Sequence, residues 1–127
     1  MTKKSIPKPT ESELEILQIL WQHGALTVKS VNEIINEKRE VGYTTTLKLM
    51  QIMNDKKLVE RNVDERSHIY SAAIQEADIQ KILLNKLLES AFRGSASKLV
   101  MSALGNSNPS KEELQKIREL INKIERG

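Results

Sequence analysis

At Lys57 the hydrophobic pattern changes period, from the three-to-four spacing of amphipathic helices to the alternation of strands. Three helices are predicted upstream. Thr10 with Glu13 three residues on forms a capping box, acidic Glu11, Glu13 and Glu15 suit the positive helix end, Leu14, Leu17, Leu20 and Trp21 give an apolar stripe, and Gly24 is a stop signal. Thr27 caps a second helix with Val28, Val31, Ile34 and Ile35 on one face, which runs into the charged residues 37–40. Residues 24–26 leave room between these helices only for a tight turn or a very short strand. A third helix lies in residues 41–57, with Thr46, Leu49, Met50 and Met53 on its apolar side.

Downstream of Lys57, residues 58–63 read as a strand, 64–67 as a polar turn and 68–72 as the antiparallel return strand. Three helices followed by a hairpin is the order of a winged helix. From Gln75 the pattern is helical again. Ile79, Ile82, Leu83, Leu84, Leu87, Leu88, Ala91 and Phe92 make a broad apolar surface interrupted at Gly94. Residues 96–104 form a short amphipathic piece, residues 105–109 a turn, and Ser110 with Glu113 caps a last helix. The expected fold class is mainly α with a small β-hairpin wing: a winged helix-turn-helix over residues 1–74, then an α-helical dimerisation region over residues 75–127.

The polar side of the third helix narrows the function. Thr44, Thr45, Lys48, Gln51 and Asp55 fall largely on that side, with hydroxyl, amide and ammonium groups near the helix start, where Tyr43 is a further candidate, and such groups reach phosphates and base edges in a major groove. Arg66, at the tip of the wing, is a further candidate for contact with a phosphate or the minor groove. Bulk charge adds little to this expectation. Residues 1–74 hold eleven Lys and Arg against ten Asp and Glu, residues 75–127 nine against seven, for a formal net charge of +3.

In the last helix Leu114, Ile117, Ile121 and Ile124 step by three, four and three, a coiled-coil-like seam. With Leu83, Leu87 and Leu99 they compose the expected dimerisation surface, because a lone chain would leave a large apolar patch in water. A two-fold pair of winged helices reads inverted half-sites, so the expected partners are a second copy and palindromic double-stranded DNA.

The chain resembles the penicillinase and methicillin-resistance repressor family (the BlaI, MecI and CopY type) over nearly its whole length. The residues that carry the likeness are 9–17 with Leu20 and Trp21, then 41–45 with Leu47, Lys48 and Met53, followed by 58–61, 68–70, Gly94 and Ser95. The resemblance implies a homodimeric winged-helix repressor that sits on inverted-repeat operators and controls an antibiotic-resistance or stress operon. In one branch of the family a membrane sensor protease triggers cleavage at an Asn-Phe bond in the dimerisation region. Ser102-Ala103 stands at the matching place here, which departs from that trigger. Another branch uses a C-terminal cysteine cluster, and this chain has no cysteine.

Other functions find less support. His23 and His68 are the only histidines, and no phosphate-binding loop, nucleophile elbow or paired metal-ligand spacing occurs, so no catalytic residue, metal or cofactor is expected. Ser95 beside Gly94 reads as a helix cap. The basic start at residues 1–4 lacks the apolar core of a signal peptide and no stretch has the length of a membrane span, so a soluble cytoplasmic protein with no membrane partner is expected. Two alternatives stay open: a winged helix used for protein–protein interaction, and a ligand-responsive repressor.

Overall fold

A computed structural model of the chain describes residues 8–63 and 68–127. The elements in order are α1 (Glu11–His23), β1 (Leu26–Thr27), α2 (Val28–Asn36), α3 (Tyr43–Asp55), β2 (Val59–Asn62), β3 (Ile69–Ala72), α4 (Glu76–Phe92), α5 (Ala96–Asn106) and α6 (Lys111–Arg126). Helix starts follow their caps. Thr10 Oγ1 accepts from Glu13 N–H at 3.2 Å while Thr10 N–H donates to the Glu13 carboxylate at 2.9 Å, which closes the expected capping box. Thr27 accepts from Ser30 N–H, Ser95 from Lys98 N–H, and Ser110 repeats the reciprocal box with Glu113.

The chain divides into two compact units, the first ending at Leu83 and the second spanning Leu84–Gly127. The division falls inside α4 rather than at residue 75, since Ile79 is buried in the first unit's core and Ile82 and Leu83 pack against that core.

In the first unit the three strands form an antiparallel sheet in the order β1-β3-β2. Leu26 pairs with Tyr70 on one side of β3, while Val59 pairs with Ala72 and Asn62 with Ile69 on the other. The two residues of β1 thus turn a hairpin into a three-stranded sheet. The core gathers Ile16, Leu17, Ile19 and Leu20 of α1, Val28, Val31 and Ile35 of α2, and Met50 and Met53 of α3. Leu58, Val59, Tyr70 and Ile79 complete it. Burial in α1 is wider than the expected stripe: Leu14 and Trp21 are half-buried, while Ile16 and Ile19 lie inside, because α1 is packed by α2, α3 and β3 together. Trp21 Nε1 donates to Ile74 O at 2.9 Å and ties α1 to the segment that leads into α4.

Glu13 is buried as well, and its carboxylate meets Lys56 Nζ at 2.8 Å. Burial by itself would raise its pKa, but the hydrogen bonds from Lys56 and Thr10 and the Lys56 charge outweigh that and hold the carboxyl below its ordinary value. At the end of α3, Lys57 takes the left-handed conformation (φ 66) and Leu58 N–H donates to Met53 O at 2.9 Å, which turns the chain out of the helix toward β2.

The second unit consists of the rest of α4 with α5 and α6. Arg93 and Gly94 at φ 50 and 81 end α4 in a tight left-handed turn. Helix α5 extends to Asn106, two residues beyond expectation, so Gly105 is helical rather than part of a turn. Asn106 Nδ2 and Ser107 Oγ donate to the carbonyls of Ser102 and Ala103 and hold that last turn, and Ser107 at its end is extended. No residue from Leu84 to Gly127 is buried. Leu84, Leu87, Val100, Met101, Leu120, Ile121 and Ile124 are among the exposed apolar side chains, Met101 at 72%. Among the described residues no helix is long and apolar enough to cross a membrane.

Candidate nucleic-acid interface

The amphipathic pattern of α3 decides what it can present. Thr46, Met50 and Met53 are buried and fix the helix on the core, so the opposite side faces outward. Tyr43, Thr44, Thr45, Lys48 and Gln51 are all exposed, Tyr43 at 50%. Thr44, Lys48 and Gln51 are spaced by four and three, and so lie along one face with hydroxyl, ammonium and amide in succession. Five of the six residues expected to touch DNA are therefore together on α3. Arg66, the sixth, lies outside the described residues. Arg61 on β2 is exposed and adds a cation to the hairpin.

Gly42 is the N-cap of α3 and supplies no side-chain acceptor, so the first-turn N–H groups of this helix are not capped by a side chain. Its start is instead held from α2, by two residues that sequence reasoning passed over. Asn32 Nδ2 donates to Thr46 Oγ1 at 2.8 Å and to Val41 O at 3.0 Å. Asn36 Nδ2 donates to Val41 O at 2.8 Å and to Asn32 O at 2.7 Å, while Val41 N–H donates back to Asn36 Oδ1 at 3.1 Å. Their one legible signal is the spacing of four on a helix that precedes a short loop, which many solvated asparagines share.

A groove of about 740 Å³ runs beside α3, and its lining includes Lys29 and Glu33 together with Asn32, Tyr43, His68 and Tyr70. Lys29 at the start of α2 is exposed, and in this groove its cation lies opposite in sign to Glu33. Tyr70 is 1% exposed, and its Oη is buried without a hydrogen-bond partner among the described residues. No group of His, Asp or Glu suited to a metal ion occurs among the described residues.

The residues expected at the dimer contact fall in both units. Leu83 is half-buried against the first unit's core. Leu99, Leu114 and Ile117 are half-buried in the second unit, whereas Leu87, Ile121 and Ile124 are exposed at 47%, 49% and 67%. Ser102 and Ala103 sit within α5, in helical backbone.

Comparison with known proteins follows the same outline. The sequence model of the family described as Penicillinase repressor matches residues 9–123. The penicillinase repressor of Bacillus licheniformis is 25% identical over 121 residues, covering 93% of this chain and 92% of that protein. The solution structure of the DNA binding domain of the repressor BlaI superposes with a TM-score of 0.52 at 21% identity, over 60% of this chain and 93% of that one. Bacillus licheniformis BlaI, as a monomeric form in complex with the blaP half-operator, gives a TM-score of 0.51 at 21% identity over the same shares. These structural likenesses establish a shared winged-helix fold.

Proposed function

The chain belongs to the penicillinase repressor family, and on that premise we propose that it acts as a homodimeric repressor of transcription on inverted-repeat operators. It is a DNA-binding transcriptional repressor, as its family is. The observation that carries the reading is the exposed side of α3, where Thr44, Thr45, Lys48 and Gln51 stand, with Tyr43 exposed at the helix start, on a helix anchored by Thr46, Met50 and Met53. Short hydroxyls and one amide reach base edges, Lys48 reaches a phosphate or a guanine edge, and Arg61 and Lys29 supply backbone contacts at either side. That a relative is described with a half-operator supports the same use of this face.

The second unit supports the dimer. Its exposed apolar side chains, with Ile121 and Ile124 on α6, are covered by a second copy, and the seam of Leu114, Ile117, Ile121 and Ile124 supplies the contact. One winged helix reads only a few base pairs. Joining two makes the second half-site contact nearly intramolecular, which gives a small protein enough affinity and specificity to occlude a promoter.

Selection of the full-length protein against a random duplex pool tests this, followed by binding of the winning sequence at two salt concentrations. An enriched inverted repeat, bound with steep salt dependence, is expected. Lys48→Ala should then weaken binding by about 1–3 kcal/mol if Lys48 reaches a base edge, or lower the salt slope by about one if it touches phosphate alone. Binding that any duplex satisfies equally would replace this reading with a protein-interaction module.

A further inference from the structure

The first turn of α3 carries the reading residues, yet that turn lacks a cap of its own. Gly42 offers no side chain, and its φ of −69 and ψ of 150 are open to any residue. A helix start without a cap frays, because its first N–H groups have no partner in the helix. Here the fraying is opposed from outside. Asn36 brackets the backbone of Val41, accepting from its N–H and donating to its carbonyl, and Asn32 donates to the same carbonyl and to the hydroxyl of Thr46. Thr46 is 1% exposed, so the Asn32 bond to it joins a buried point of α3 to α2, one turn below Tyr43.

Resting on the DNA-reading role of α3, we infer that Asn32 and Asn36 are positioning residues for sequence discrimination: by clamping Val41 they order the turn that bears Tyr43, Thr44 and Thr45. Neither touches DNA in this role. Their effect is on the fraction of molecules whose reading turn is already in place when an operator arrives, and apparent affinity falls in proportion to that fraction. Non-specific binding through phosphates needs no such order, so the clamp acts on the ratio of specific to non-specific affinity.

Asn36 is exposed, and replacing it leaves the core intact. For Asn36→Ala, operator affinity of the full-length protein should fall about tenfold, as expected when roughly one protomer in three keeps the turn ordered and the dimer needs both. Affinity for random duplex and the salt slope on the operator should stay at wild-type values, since no phosphate contact is removed. Amide exchange at Thr46, whose N–H donates to Gly42 O, should quicken while Met53 keeps its protection. A cap built into α3 should reverse the loss. A Cβ at Gly42 meets nothing within 4 Å, so Gly42→Ser in the Asn36→Ala background can cap the turn and restore discrimination. Asn36→Ser removes the same bonds without adding charge and serves if the alanine variant folds poorly.

Equal losses on operator and random duplex, no loss on either, or no recovery with Gly42→Ser would overturn the inference. A wild-type protein that does not discriminate between sequences would instead overturn the repressor reading itself, and Lys48→Ala, which changes the salt slope or a base contact, separates the two failures.

Discussion

From Glu11 to Leu83, side chains such as Ile16, Leu17, Met50 and Leu58 are wholly enclosed within one chain, whereas from Leu84 to Gly127 nothing is buried. The second stretch is not poorer in helix signals. Ser95 and Ser110 cap its helices and Gly94 turns them, much as Thr10, Thr27 and Gly24 do in the first. Local chemistry therefore builds good helices in both places, and only the first also has enough surrounding elements to close a core. Exposed apolar surface of that kind costs roughly 25 cal/mol for each Å² left in water, and a second copy is the partner proposed to remove it.

The largest expected effect breaks the second unit and spares the first. Ile117→Asp places a carboxylate in the α6 seam, where burying it without a partner costs at least about 3 kcal/mol per dimer. Sedimentation should show monomers at micromolar concentration, while the Trp21 environment in the first unit keeps its near-UV signature. A variant that still sediments as a dimer would show that α6 is not the contact.

A smaller effect loosens the first unit and should leave dimerisation alone. Lys56→Ala removes the cation from the Glu13 carboxylate, whose side chain is 2% exposed, and should lower unfolding stability by roughly 2 kcal/mol. The same pair has a pH signature. Because the folded Glu13 pKa lies below the 4.5 of an unperturbed glutamate, its contribution is full above that value and is lost as pH falls through the lower folded one. Acid titration of stability should therefore be shallower in Lys56→Ala than in wild type below about pH 4.5. Identical profiles would mean that the pair contributes nothing measurable.

The smallest effect sharpens the same comparison, with opposite sign. Tyr70 buries a hydroxyl that has no partner among the described residues, so Tyr70→Phe should stabilise the first unit by about 1 kcal/mol in denaturant melts, with dimerisation unchanged. A clear loss of stability would show that the hydroxyl has a partner after all.

Much of this was legible in the residues. The caps at Thr10, Thr27, Ser95 and Ser110, the change of period at Lys57 and the polar side of α3 all stand where the sequence places them, because each depends on neighbours within one or two turns. The end of α5 was less legible: Gly105 reads as a turn residue, yet side-chain bonds from Asn106 and Ser107 carry the helix past it. Asn32 and Asn36 were missed because an asparagine's partner is not written beside it.

The sequence by itself determined the helices and strands, their order, and which face of each is apolar, since those follow from caps and from spacing along the chain. The tertiary structure decided which distant groups meet. Glu13 finds Lys56 across 43 residues, Leu26 finds Tyr70 to add a strand to the hairpin, and Asn32 finds Thr46 to tie α2 to α3. It also divided α4 between two duties, its start enclosed with the first unit and its remainder left exposed. Pairings of that kind depend on three-dimensional packing, in which side chains far apart in sequence share one desolvated space, and no window along the chain contains both partners.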